Sequence, residues 1–147
     1  MPDSTAHNIA QQIIACFKRG NSLYLCGNGG SYDLANHMEE EFICKFEHDR
    51  KPLPALSLKI HSSSANDYGY GHVFTRQVEA YGKPGDILIG ISTSGRSLNV
   101  NDAMNKALDL GLEVIPFPIK GNKTAEIQEY QLKLMHDICL LVEKAFL

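Results

Sequence analysis

Apolar and polar positions alternate along this chain in blocks, a helical stripe followed by a short β-prone run, several times over. Ile9, Ile13 and Phe17 recur at four-residue spacing and the pattern stops at Gly20, which predicts a first helix over about residues 7–19. Ser22 to Cys26 is a strand-like run entering a glycine turn, and Tyr32 to Phe46 is rich in the helix formers Ala, Met, Glu and Leu, with Pro52 and Pro54 closing the region. Leu56-Ser57-Leu58 predicts a second strand, His72 to Tyr81 a helix closed by Gly82, and Asp86 to Ile91 a nearly continuous apolar strand. Leu98 to Leu110 reads as a helix ending at Gly111, Glu113 to Phe117 as a strand, and about Thr124 to Phe146 as a final helix. This alternation implies an α/β fold, a parallel sheet with helices on both faces, in a single domain spanning 1–147 without repeats or linkers.

Composition narrows the class of protein. A chain of 147 residues can bury roughly 70% of its unfolded surface and needs no covalent staples. Its four cysteines, Cys16, Cys26, Cys44 and Cys139, are scattered within apolar runs, so buried free thiols in a reducing cytoplasm are expected. A formal charge of −3 offers no surplus for a nucleic-acid backbone, and no apolar run approaches the ~20 residues of a membrane span. The expectation is a cytoplasmic protein that binds neither nucleic acid nor membrane.

Two turns carry candidate chemistry. Gly27-Asn28-Gly29-Gly30-Ser31 and Ser92-Thr93-Ser94-Gly95-Arg96-Ser97 each follow a predicted strand and precede a predicted helix. Backbone without Cβ atoms, hydroxyl donors and a helix N-terminus together suit a phosphate, although Gly and Ser are also ordinary strand-to-helix connectors. The dinucleotide fingerprint G-x-G-x-x-G fails, because Tyr32 occupies the third glycine position, and neither turn ends in the Gly-Lys-Ser/Thr of a P-loop. His37 and Glu41 share one helical face, a spacing that can hold a metal, but Glu39, Glu40 and Glu41 equally form a solvated acidic run. Gln128 and His136 lie on the last helix about 80° apart in projection, among apolar neighbours where a histidine needs only satisfied ring nitrogens. His48, His61 and His72 lie in polar surroundings and are assigned no role.

The ordered set Cys26-Gly27-Asn28-Gly29-Gly30-Ser31 with His37 and Glu41, Asn66-Asp67-Tyr68-Gly69, Arg76-Gln77-Val78-Glu79-Ala80, Gly90-Ile91-Ser92-Thr93-Ser94-Gly95, and Ile127-Gln128-Glu129 with His136 closely resembles the sedoheptulose 7-phosphate isomerases of the sugar isomerase (SIS) domain superfamily. The resemblance implies the SIS-type three-layer sandwich and an aldose–ketose isomerase acting on a phosphorylated seven-carbon sugar. It implies that Ser92, Thr93, Ser94 and Ser97 hold the phosphate and that Asn28, Gly29, Gly30, Asn66 and Asp67 contact the rest of the substrate. His37, Glu41, Gln128 and His136 would be ligands of one zinc ion per site, Glu41 and His136 doubling as the proton-transferring pair and Gln128 touching substrate. It further implies a homotetramer with active sites between subunits.

Departures from the family pattern are also legible. Glu126 and Gln131 stand where the family usually has Arg and His. The N-terminal helical region is shorter than usual, residues 60–64 are short, and the stretch from Val114 to Thr124 lacks about a loop, a helix turn and part of a strand. Joining Glu113-Val114-Ile115 directly to Pro116-Phe117-Pro118 leaves too little chain for a crossover to a further parallel strand, so segments are expected to be missing there. Two other readings stand beside the isomerase. One is a non-catalytic SIS-domain protein that binds a sugar phosphate or a protein partner, against which the presence of Glu41 and His136 counts. The other is a nucleotide-binding or redox α/β domain, disfavoured by the failed fingerprint and the scattered cysteines.

Overall fold

Four strands, β1 (Leu23–Gly27), β2 (Ala55–Ser57), β3 (Ile87–Ile91) and β4 (Glu113–Pro116), form one parallel sheet in the order β2-β1-β3-β4 in a computed structural model that describes Met1–Leu147. Parallel neighbours require a crossover, and helices supply each one. α2 (Gly30–Ile43) joins β1 to β2, α3 (Ser62–Tyr68) and α4 (Thr75–Tyr81) join β2 to β3, and α5 (Leu98–Asp109) joins β3 to β4. α1 (Ser4–Lys18) precedes the sheet and α6 (Thr124–Lys144) follows it.

Side-chain alternation along the strands divides the interior into two cores. Leu23, Leu25, Ile87, Ile89, Ile91 and Ile115 face α1, α2 and α6, in a cluster that includes Ile13, Met38, Phe42, Met135 and Ile138. Tyr24, Cys26 and Leu88 face the other way, against Phe74 and Val78 of the α4 region and Val100, Ala103 and Ala107 of α5. β1 and β3 are buried at every position, which is why they read as continuous apolar runs. The expected three-layer arrangement of helices on both faces is what the chain forms.

Where elements differ from their sequence-based bounds, polar groups account for it. α1 starts at Ser4 because Asp3 caps it, its carboxylate accepting the N–H of Ala6 at 2.9 Å. α3 was not foreseen, since a short helix with no buried residue has no apolar stripe to reveal it. The helix expected over 72–81 divides into a 3₁₀ turn at Tyr70–His72 and α4. α2 ends at Ile43, three residues before Phe46, because the following loop is gathered onto a carboxylate of α6. The N–H groups of Phe46, Glu47 and His48 donate to Glu143 at 2.9, 2.8 and 3.0 Å, and its side chain is fully buried. After β4, residues 117–123 lead directly into α6; no fifth strand follows, so no further crossover is needed.

Burial pushes the thiols of Cys16 and Cys26 up to about 11 and about 12, and raises Cys139 as well, while Cys44 is exposed. The native protein is therefore expected to react with an excess of a thiol reagent at neutral pH at one cysteine per chain, Cys44, with the other three labelled only on denaturation. Titration with Ellman's reagent checks this.

Burial alone would raise the Glu143 carboxyl, but the three loop N–H donors and the His48 ring outweigh it and hold the group below its ordinary value. A folded-state value below the unfolded one contributes stability that is complete above the ordinary carboxylate range and lost as pH falls through the lowered value. Urea unfolding is expected to shift to lower midpoint between about pH 5 and pH 3, with a smaller shift in Glu143→Gln.

Candidate active site

β1 and β3 pair in register from Leu23 opposite Ile87 to Gly27 opposite Ile91, so the turns that follow them leave the sheet level with one another. A reciprocal amide pair joins the turns. Asn28 Nδ2 donates to Asn99 Oδ1 at 2.8 Å and Asn99 Nδ2 returns a bond to Asn28 Oδ1 at 2.9 Å. Tyr70 Oη adds a third bond to Asn28 Oδ1 at 3.0 Å, which brings the segment carrying the exposed residues Asn66 and Asp67 against the first turn. The Asn28 side chain is thus engaged in holding the turns together. Asn99 was not singled out from the sequence, although it falls on the same helical face as the buried Ala103 and Ala107, and a polar residue in an apolar stripe signals a buried partner.

The second turn is folded by its own hydroxyls. Ser92 Oγ accepts the N–H of Gly95 at 2.9 Å, and Ser94 Oγ accepts that of Arg96 at 3.0 Å. Gly95 has φ +69°, a left-handed conformation that side chains resist. Ser97 is the N-cap residue of α5 and makes no capping bond with its side chain. Thr93 is half-buried and Arg96 exposed.

α6 closes the other side. Gln128 packs over Gly30, its Nε2 only 2.5 Å from where a Cβ would stand, so a side chain at this position would displace the Gln128 amide. Gly30, Ser31, Asp33, Leu34, His37, Gln128, Gln131 and Leu132 line an open cavity of about 260 Å³. Gln131 is fully buried and ties this wall to the second turn, its Nε2 donating to the carbonyls of Ser92 at 3.1 Å and Pro118 at 3.2 Å. Two carbonyl acceptors orient the amide, and its Oε1 is left buried without a donor.

His37, which lines this cavity, also meets Glu41 and His136. Glu41 Oε2 lies 3.6 Å from His37 Nε2 and 3.9 Å from His136 Nε2, the two imidazoles pack edge-on with centroids 5.3 Å apart, and all three donor atoms fall within 4.8 Å of one another. The face that His37 and Glu41 share on α2 therefore points at α6 rather than forming a solvated acidic run. Glu39 points elsewhere, accepting the N–H of Ser57 at 2.9 Å. Phe46, absent from the sequence-based expectations, lays its ring 5.4 Å from that of His136. Gln128 sits two helical turns before His136, on the cavity wall with His37, so His37 belongs to both groups.

Two imidazoles and a carboxylate are a donor set that zinc accepts. Ligand bonds of about 2.0–2.2 Å in a tetrahedral site separate the donors by roughly 3.5 Å, so the two separations from Glu41 need only a small contraction, while the widest pair, within 4.8 Å, has to draw in further. The residues fit such an ion.

The model of the SIS domain family matches residues 4–117. The phosphoheptose isomerase of Clostridium acetobutylicum is 40% identical over 157 aligned positions, covering 93% of this chain and 80% of the relative. Those positions exceed the residues of this chain that they cover by about 20, so the relative contains internal segments without counterpart here. Among solved structures, the phosphoheptose isomerase of Francisella tularensis superposes with a TM-score of 0.90 at 29% identity, and GmhA of Neisseria gonorrhoeae, also a phosphoheptose isomerase, with 0.85 at 31%; each comparison covers 95% of this chain and 85% of the other. With a family model spanning its whole sheet and a relative aligned over 93% of its residues, the chain belongs to the SIS domain family, beside the phosphoheptose isomerases.

Proposed function

We propose that this protein is a phosphosugar isomerase that interconverts sedoheptulose 7-phosphate and D-glycero-D-manno-heptose 7-phosphate through an enediolate. The observation that carries this reading is the convergence of His37, Glu41 and His136 from two helices within 4.8 Å, at a cavity linked to the serine turn through Gln131. A protein that only bound a sugar phosphate would have no need of that triad.

In this mechanism Ser92, Thr93, Ser94 and Ser97 hold the phosphate, whose binding energy positions the distant reacting end. Gly29, Gly30, Asn66 and Asp67 line the path of the sugar, with Asn28 keeping the two turns together. Glu41 presents Oε2 to both imidazoles, which leaves its other oxygen to take the proton from the carbon beside the carbonyl and return it to the neighbouring carbon. His136 moves a proton between the two oxygens. Zinc held by His37, Glu41 and His136, with Gln128 as a further donor, would polarise the carbonyl and stabilise the oxygen charge that develops.

Two further features of this reading concern its setting. Leu98 at the head of α5 and Leu132 on the cavity wall are exposed, apolar surface that a neighbouring subunit would cover in a homotetramer with sites between chains. Four free cysteines suit a cytoplasmic enzyme.

With zinc and sedoheptulose 7-phosphate supplied, the parent protein is expected to form the aldose phosphate, and Glu41→Gln to lose about 100-fold or more in kcat, the usual scale of a general base. Equal rates would remove Glu41 from the mechanism. Asn99→Leu breaks the amide pair and leaves Asn28 unpartnered, and is expected to lower stability by about 1–3 kcal/mol in urea unfolding and to raise KM.

A further inference from the structure

Behind the triad lies a buried ion pair with an unusual set of partners. Arg50, in the loop after α2, and Glu143, near the end of α6, have side chains 1% and 0% exposed, with Arg50 Nε 3.2 Å from Glu143 Oε1. Arg50 also reaches back to the frayed end of α2, where carbonyls lack helical partners. Its Nη2 donates to the carbonyl of Glu41 at 2.6 Å, and its Nη1 to those of Phe42 at 2.9 Å and Cys44 at 3.0 Å. Glu143 meanwhile collects the N–H groups of residues 46–48, and the first of these belongs to Phe46, whose ring lies against His136. Glu143 follows His136 by seven residues, two turns along one face of α6, so the same helix face carries the imidazole and the anchor of the ring that packs on it.

From this we infer that the Arg50–Glu143 pair is a positioning device for the reaction proposed above, orienting Glu41 through its own backbone carbonyl and His136 through the Phe46 ring. A buried ion pair contributes little net stability, and apolar residues of similar volume serve packing equally well. What apolar residues cannot do is hold three carbonyls and three N–H groups in one fixed arrangement. The ion pair can: its planar guanidinium donates to the carbonyls and its carboxylate accepts the N–H groups, whereas the single ammonium of lysine cannot span the same acceptors. Proton transfer is sensitive to this, because a misplacement of about 1 Å costs on the order of 100-fold in rate.

The test compares Arg50→Lys, Phe46→Leu and the apolar double variant Arg50→Met/Glu143→Leu with the parent, in the zinc-supplemented enzyme. Each is expected to lose about tenfold or more in kcat with KM changed less than about threefold, and the double variant to melt below the parent because the loop N–H groups and helix-end carbonyls lose their partners. His48→Gln, which alters a neighbour of Glu143 that touches neither Glu41 nor His136, is expected to retain parental kcat. In the substrate-free protein, Arg50→Lys takes the guanidinium from beside the Glu143 carboxylate that anchors Phe46, and the loosened anchor is expected to shift the NMR resonances of the His136 ring protons. Folded variants with parental kcat, or unshifted His136 resonances in folded Arg50→Lys, overturn the positioning role. An inactive parent overturns the proposed reaction instead, and the His136 resonances then decide the positioning role without it.

Discussion

Side-by-side parallel pairing of β1 and β3 is the constraint on which the rest of this molecule depends. Because the two strands run in the same direction and in register, both glycine- and serine-bearing turns emerge from the sheet at one edge, and a single pair of asparagine amides can span them. An antiparallel pairing of the same strands would put the turns at opposite ends of the sheet. A slip of one residue in either strand would also turn Leu23 and Leu25, or Ile87 and Ile89, away from the larger core, so the burial that stabilises the fold also enforces the alignment of the turns.

α6 is the second organising element, and it works by division along its length. Gln128 packs over the first turn, Gln131 bonds to the second, His136 meets His37 and Glu41, and Glu143 gathers the loop that carries Phe46. Meanwhile Leu134, Met135, Ile138 and Val142 anchor the helix in the apolar core. One rigid rod thereby sets the separation between the serine-bearing turn and the His37–Glu41–His136 cluster. The apolar face holds α6 against the sheet, and the polar residues that interrupt it determine what the site can bind.

Gln131 shows how a departure from the family pattern is accommodated. Its amide supplies two donors to carbonyls of Ser92 and Pro118, groups that a buried loop end must satisfy in some way. An imidazole in its neutral form has a single N–H to donate, so glutamine here makes a connection that histidine could make only in part. Its unpartnered Oε1 is the residual cost of that arrangement.

The strands, every helix but α3, the parallel sheet and the two turns were legible in the amino-acid sequence because each depends on local periodicity: continuous apolar runs for strands buried on both faces, four-residue stripes for helices, glycine and serine where the chain changes direction. The motifs also marked His37, Glu41, Gln128 and His136 as candidates. Tertiary structure alone decided that His37, Glu41 and His136 meet, that Asn99 and Tyr70 clasp Asn28, and that Arg50 and Glu143 stand behind the site, since each of those contacts joins residues distant in the chain. Periodicity reports which face of an element is buried; which polar groups then face one another across the interface is fixed by how helices pack on the sheet, and no local pattern carries that information.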